Sequence, residues 1–273
     1  MKELHIISTG ISLLTNAQKA GIFPERKISD EDYWQKLLNS DIEIHKLVNF
    51  LKSSPMKNSA EMNTFLRVVE GKSPNSIEVY LFGTKTASNE LCRLAIEQFL
   101  KDAGYEIYTP YEISGYFWEA KYYEPSYAID KFKLGISELL DRLICLANTK
   151  KKQGYRVFFN PTGGLKAHVI ATALAGILTD CQIYYMNEEF HEVVFLPKLF
   201  YLPKGKELEL LKKLAEKRVF TSRDYEELEK NYEEEIERLE IYGLIARLPD
   251  ESQKALWITN RGLLFIAESN EKI

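Results

Sequence analysis

Apolar residues along this chain fall into two alternating rhythms. Short runs rich in Val, Ile, Tyr and Phe end on small polar residues, and longer stretches repeat Leu, Ile, Ala and Phe every three or four positions. The short runs predict strands at 4–10, 76–84, 105–108 and 155–159, and a hairpin whose arms are 181–186 and 192–196. The periodic stretches predict helices from residue 11, over 88–103 and 128–148, and through the apolar run 169–178. Strand followed by helix, repeated, predicts an α/β fold: a mostly parallel sheet flanked by helices.

Two regions depart from that rhythm. Residues 28–71 read as helices only, with Asp30-Glu31-Asp32 as cap and acidic first turn, a break at Ser53-Ser54-Pro55 and a restart over 60–69. This is expected to be an elaboration packed over the sheet, with no visible chemistry. After Pro197 and Pro203-Lys204-Gly205 the spacing changes again, which predicts domains at 1–203 and 204–273. In the second, helices at 207–217, after the cap Thr221-Ser222-Arg223-Asp224, and at 232–242 precede strands at 244–248 and 254–258 around Pro249-Asp250-Glu251-Ser252. Thr259-Asn260-Arg261-Gly262 then opens a last helix. The segment resembles a winged helix-turn-helix. Where a recognition helix would lie stand Glu233, Glu234, Glu235, Glu237 and Glu240, with Arg238 the lone cation. Such a helix repels phosphates, so a dimerisation or regulatory role is favoured over DNA binding.

Composition narrows the function classes. Of 273 residues 45% are hydrophobic and 28% charged, the balance of a soluble globular protein. No apolar stretch approaches the roughly 18 residues that span a bilayer, and Met1-Lys2-Glu3-Leu4 enters a strand with no signal-peptide pattern, so a cytoplasmic location is expected. A net charge of −4 argues against nonspecific nucleic-acid binding but is compatible with one small anion in a local pocket. Cys92, Cys145 and Cys181 are expected to be buried thiols, and His5, His45, His168 and His191 show no ligand spacing. Neither metal nor cofactor is expected. The lysine run 150–152 reads as a solvated helix end. The aromatic connection with Tyr111, Tyr116, Phe117, Trp118, Tyr122, Tyr123 and Tyr127 reads as packing under a loop or at a dimer contact, with stacking on nucleobases as the alternative.

Candidate chemistry lies at three strand-to-helix junctions. Asn160-Pro161-Thr162-Gly163-Gly164-Leu165-Lys166 leaves backbone N–H groups at a helix N-terminus, where the dipole and Lys166 both favour an anion. The alternative is an ordinary turn with a solvated lysine. It is not a Walker loop, since no Gly-Lys-Ser/Thr follows. Thr9-Gly10-Ile11-Ser12, with Asn16 beyond, is a second such junction, its alternative being helix capping by Thr9 or Ser12. Gly83-Thr84-Lys85-Thr86 is the third. In an open parallel sheet these junctions gather at the carboxyl edge, where ligands bind.

The stretches Ile-Ser-Thr-Gly-Ile-Ser-Leu-Leu-Thr-Asn (7–16) and Asn-Pro-Thr-Gly-Gly-Leu-Lys (160–166) together resemble the CARF family, the CRISPR-associated Rossmann-fold proteins of type III systems. The likeness is to members that carry a C-terminal winged helix and act as ring nucleases, and it extends over essentially the whole chain. It implies a Rossmann-like domain and a homodimer that binds a cyclic oligoadenylate, cyclic tetraadenylate, across its two-fold axis. It further implies metal-free cleavage to linear diadenylate with a 2′,3′-cyclic phosphate. By motif position Ser12 and Lys166 match the catalytic serine and lysine, while Ile11 stands where threonine is common. Thr9, Gly10, Ile11, Asn16, Gly83, Thr84, Asn160, Pro161, Thr162, Gly163, Gly164 and Leu165 would line the ligand, with amides from Thr162 to Leu165 stabilising developing charge. His168 is a further candidate acid or base, although two residues along a helix turn it about 200° from Lys166. The alternative function is a non-cleaving cyclic-oligoadenylate sensor that regulates transcription through its winged helix. A ribonuclease effector is disfavoured because the C-terminal segment has no Arg-x₄₋₆-His signature.

Overall fold

The computed structural model describes residues 2–109, 125–187, 192–196, 201–217, 219–247 and 255–270. They divide into two compact units, Met1–Leu196 and Pro197–Ile273.

In the first unit the described strands are β1 (Glu3–Ser8), β2 (Ile77–Phe82), β3 (Glu106–Ile107), β4 (Arg156–Asn160), β5 (Gln182–Asn187) and β6 (Glu192–Phe195). They form one sheet in the order β3-β2-β1-β4-β5-β6. Pairing is parallel throughout except between β5 and β6, the expected hairpin. This is a Rossmann-like order, and the chain reverses its direction of travel across the sheet between β1 and β4. Ile7 pairs with Asn160 and Ser8 with Phe82, so β1, β2 and β4 end level with one another.

Helices α1 (Ser12–Lys19), α2 (Glu31–Leu38), α3 (Asp41–Ser53), α4 (Pro55–Asn58), α5 (Ala60–Val68), α6 (Ala87–Asp102), α7 (Pro125–Lys152) and α8 (Lys166–Leu178) complete the unit. The period of two along each strand assigns them to layers. Leu4, Ile6, Tyr80, Phe82, Val157 and Phe159 pack with Leu139, Leu143 and Ala147 of α7 and Ala171 and Ala175 of α8. Their alternates Ile7, Ile77, Val79 and Leu81 pack with Leu13 and Leu14 of α1, Trp34 of α2, Leu47 and Leu51 of α3, Phe65 of α5 and Leu91 and Ile96 of α6. Each such side chain contributes roughly 1.5–3 kcal/mol of burial.

His5 is the polar exception on β1. It is fully buried, stacks on Phe158 at 4.7 Å, and joins Glu3 through Nε2 at 3.2 Å and the Tyr184 hydroxyl through Nδ1 at 2.9 Å. A carboxylate only accepts, so Nε2 carries the proton and Nδ1 accepts from Tyr184. Burial holds the ring below the usual histidine range, and Glu3 is pulled down to about 2, first by the bond from His5 and then by Lys72.

Two expectations need correction. Lys150 is buried, paired with Glu78 of β2 and set over the rings of Tyr108 and Tyr155. The lysine run therefore ends α7 by docking it onto the sheet, and Lys151 donates to the Thr179 carbonyl at 2.6 Å. Cys145 is exposed, unlike Cys92 and Cys181, because Leu143, Leu146, Ala147 and Lys150 take the inward face of α7. The aromatic residues from Tyr111 to Tyr123, and His191, lie outside the described residues.

The second unit holds α9 (Lys206–Glu216), β7 (Val219–Thr221), α10 (Ser222–Ile241), β8 (Ile245–Arg247), β9 (Ala255–Ile258) and α11 (Asn260–Asn270). Its strands form an antiparallel sheet in the order β7-β9-β8. Residues Leu210, Leu214, Leu228, Ile236, Leu239 and Leu256 make a core of its own. The two helices expected here meet end to end within α10, divided by non-helical backbone at Tyr232 (φ −141°, ψ 29°), where the second was expected to begin. The turn at 249–252 lies outside the described residues. Among the described residues no helix is long and apolar enough to cross a membrane.

Candidate functional site

The loops after β1 and β4 meet backbone to backbone. A Cβ on Gly10 would lie 2.6 Å from the Gly164 nitrogen, and one on Gly164 would lie 2.7 Å from Ser8 Oγ. Gly164 also has φ +98°, in the left-handed region that favours glycine. No side chain fits between these turns. Residues far apart in sequence thus share one corner at the carboxyl edge, at the switch in chain direction.

On the β1 side Ser12 opens α1, half-buried, with no side chain capping the helix; Ile11 is its N-cap. Ser12 Oγ donates to Glu61 Oε2 at 2.9 Å and accepts Ala60 N–H at 3.1 Å. Glu61, on α5, is only 1% exposed. Its carboxylate also accepts Gly10 N–H at 2.7 Å and the Ser59 hydroxyl at 2.7 Å, the compensation a buried anion needs. Asn16 donates to the Asn58 carbonyl at 3.1 Å. The helical stretch 28–71, expected to carry no chemistry, therefore supplies the group that grips this loop. Sequence shows Glu61 only as an acid in the first turn of a helix capped by Ser59, whose Oγ accepts from Met62 N–H at 3.3 Å. That is a common solvated pattern, and nothing local marks the carboxylate as buried.

On the β4 side Lys166 begins α8, and no side chain caps that helix either. Lys166 is exposed and, among the described residues, enters no hydrogen bond or ion pair, and Gly164 and Leu165 are exposed beside it. An uncapped first turn with a solvated ammonium is a setting for an anion. The Thr162 amide, expected among the donors to that anion, instead donates to Asn160 Oδ1 at 3.1 Å, because the asparagine folds back over its own turn. The Thr162 hydroxyl reaches Thr64 Oγ1 at 3.2 Å. Asn160 and Pro161 are buried, and Gly163 lies against Glu61, where a Cβ would come within 2.0 Å of Oε1.

The third junction braces the first. Thr9 is fully buried, its hydroxyl donating to the Phe82 carbonyl at 2.9 Å, and Asn89 donates to the Thr9 carbonyl at 2.9 Å. Gly83 is wedged between these side chains, where a Cβ would sit 1.9 Å from Asn89 Oδ1. Thr84 beside it is half-buried. His168 lies fully buried behind the Lys166 turn, and burial lowers its pKa to about 4. Among the described residues no three His, Cys, Asp or Glu side chains are placed to hold a metal ion.

The corner thus presents one committed hydroxyl, one free ammonium and a helix N-terminus, an arrangement that suits a phosphodiester. A family model described as CRISPR-associated protein (Cas_APE2256) matches residues 56–199, from α4 through the Lys166 turn and past β6. Since that is 144 of the 273 residues, the chain belongs to this family of CRISPR-associated proteins.

Proposed function

We propose that this protein is a ring nuclease: it binds cyclic tetraadenylate and cuts it, without a metal ion, to linear diadenylate ending in a 2′,3′-cyclic phosphate. The observation that carries this reading is the contact of the Ser12 and Lys166 turns across adjacent strands. Cleavage needs a ribose 2′-hydroxyl aligned with the neighbouring phosphorus and opposite the departing 5′-oxygen, with charge on the phosphoryl oxygens stabilised. Lys166 and the first turn of α8 supply the positive field, and Ser12 meets the ribose. Membership of a CRISPR-associated family agrees with a nucleotide signal of CRISPR defence as the substrate.

A two-fold ring suits a two-fold protein. On α8, Ile170, Leu174 and Leu178 follow Lys166 at intervals of four and are 59%, 42% and 50% exposed. This apolar stripe begins at the lysine itself and favours a homodimer joined through α8, each copy offering one Ser12 and one Lys166. The second unit, ordered helix, strand, helix, strand, strand, helix, is taken as a winged helix with a dimerisation or regulatory role. Arg238 on α10 is already paired with Glu207 at 3.2 Å, and Glu233, Glu234, Glu235 and Glu237 oppose DNA phosphates on the same helix.

The test is incubation of the purified protein with labelled cyclic tetraadenylate in excess EDTA, with chromatography of the products. Conversion to the cyclic-phosphate dinucleotide supports the reading. Tight binding of an intact ring would make the protein a sensor, and no binding would sink both.

A further inference from the structure

Every hydrogen bond but one at Ser12 is already assigned. A serine hydroxyl has one proton and two lone pairs. The proton goes to Glu61 Oε2, and one lone pair takes Ala60 N–H. One lone pair remains on this half-buried side chain, and it can only accept. Phosphate oxygens also only accept, so they find no partner there, whereas a ribose hydroxyl donates and does. Glu61 cannot easily release Ser12, because Oε1 holds Gly10 N–H, Oε2 holds Ser59, and the side chain is buried against Gly163.

We infer that Glu61 is a positioning residue that fixes Ser12 as an acceptor for the ribose 2′-hydroxyl and takes the proton on through it. The inference rests on the ring-cleaving reading above. As the 2′-hydroxyl gives its proton to Ser12 Oγ, the Ser12 proton passes to Glu61 Oε2. The 2′-oxygen bonds to phosphorus, the bond from phosphorus to the 5′-oxygen breaks, and that oxygen takes a proton from water. Glu61 then returns its proton by the same route, through Ser12 Oγ to the resulting hydroxide, which leaves a 2′,3′-cyclic phosphate, a 5′-hydroxyl and the Glu61 carboxylate as before.

The experiment compares wild type, Glu61→Gln, Ser12→Ala and the double variant on cyclic tetraadenylate, measuring kcat, KM and melting temperature. In Glu61→Gln the amide donates to Ser12, which reverses its polarity within the same outline. The expected result is a kcat at least about 100-fold lower, the lower end of general acid–base effects. KM should stay within about threefold, and the double variant should be no slower than the slower single, as for residues acting as one unit. A Glu61→Gln variant with unchanged kcat, or with losses confined to KM or melting temperature, overturns the inference and leaves the ring nuclease standing. A wild type that leaves the ring intact sinks the ring nuclease and this inference with it. Should Glu61→Gln fail to fold, wild-type single turnovers in mixtures of H2O and D2O decide. Two protons moving together give a curved dependence on deuterium content, and a straight line or no isotope effect overturns the relay.

Discussion

The Lys166 ammonium stands in solvent, bound to nothing in the described structure, so its removal separates chemistry from folding. Lys166→Ala should change stability by no more than about 0.5 kcal/mol, as surface substitutions do, weaken ring binding, and slow cleavage roughly 100- to 1,000-fold, the loss typical of one charge-stabilising donor. Unaltered kinetics in a single-turnover assay would remove Lys166 from the mechanism. Gly163→Ala is the converse case: its methyl would meet the buried Glu61 carboxylate at 2.0 Å, and urea titration should show a loss of about 1–3 kcal/mol from overpacking. Acid should weaken the fold in two stages. Buried His168, lowered from 6.5 to about 4, takes up its proton more readily in the unfolded chain, and buried His5 is shifted the same way. Their contribution is full above about 6.5 and drains as pH falls; that of His168, on the order of 3 kcal/mol, is gone below about 4. Glu3, lowered from 4.5 to about 2, then loses its contribution between those values. The urea midpoint should fall along this course, and His168→Gln should flatten its upper part.

At the scale of elements, the stripe on α8 gives the sharpest expectation. Leu174→Glu should convert the proposed dimer to monomer in sedimentation velocity, with loss of cleavage and little change in melting temperature, since Leu174 is 42% exposed in the single chain. A dimer that survives would place the contact elsewhere. The helices and strands themselves were largely legible, because amphipathic period and strand alternation are local properties. The helix expected at 88–103 is α6 at Ala87–Asp102. Where expectation fell short, tertiary contact decided. Helix α7 runs on through Lys150 because Glu78 and two tyrosine rings receive that lysine. Helix α5 was visible as a helix, but the destination of Glu61 depends on a fold-back onto β1 that no window of sequence contains.

For the whole molecule, the acidic exposed face of α10 predicts no retention of duplex DNA near 0.15 M salt in a fluorescence anisotropy titration. Binding there would revive the transcriptional-regulator alternative. The Ser12 and Lys166 turns were recognisable separately as glycine-bounded junctions, and the sheet order explains why they meet: β1 and β4 are neighbours although β2 and β3 lie between them in the chain. That adjacency also governs when the corner comes into being. Joining Ile7 to Asn160 closes a loop of roughly 150 residues, an entropic cost of about 4 kcal/mol that must be met before the parallel pairing returns anything. A ribosome that has delivered only the first three strands has made Ser12 and Glu61 but not their counterpart. On the proposed function, a messenger nucleotide nearby would meet half a corner until α8 has emerged, and binding ability would arrive in one step with the second half of the sheet.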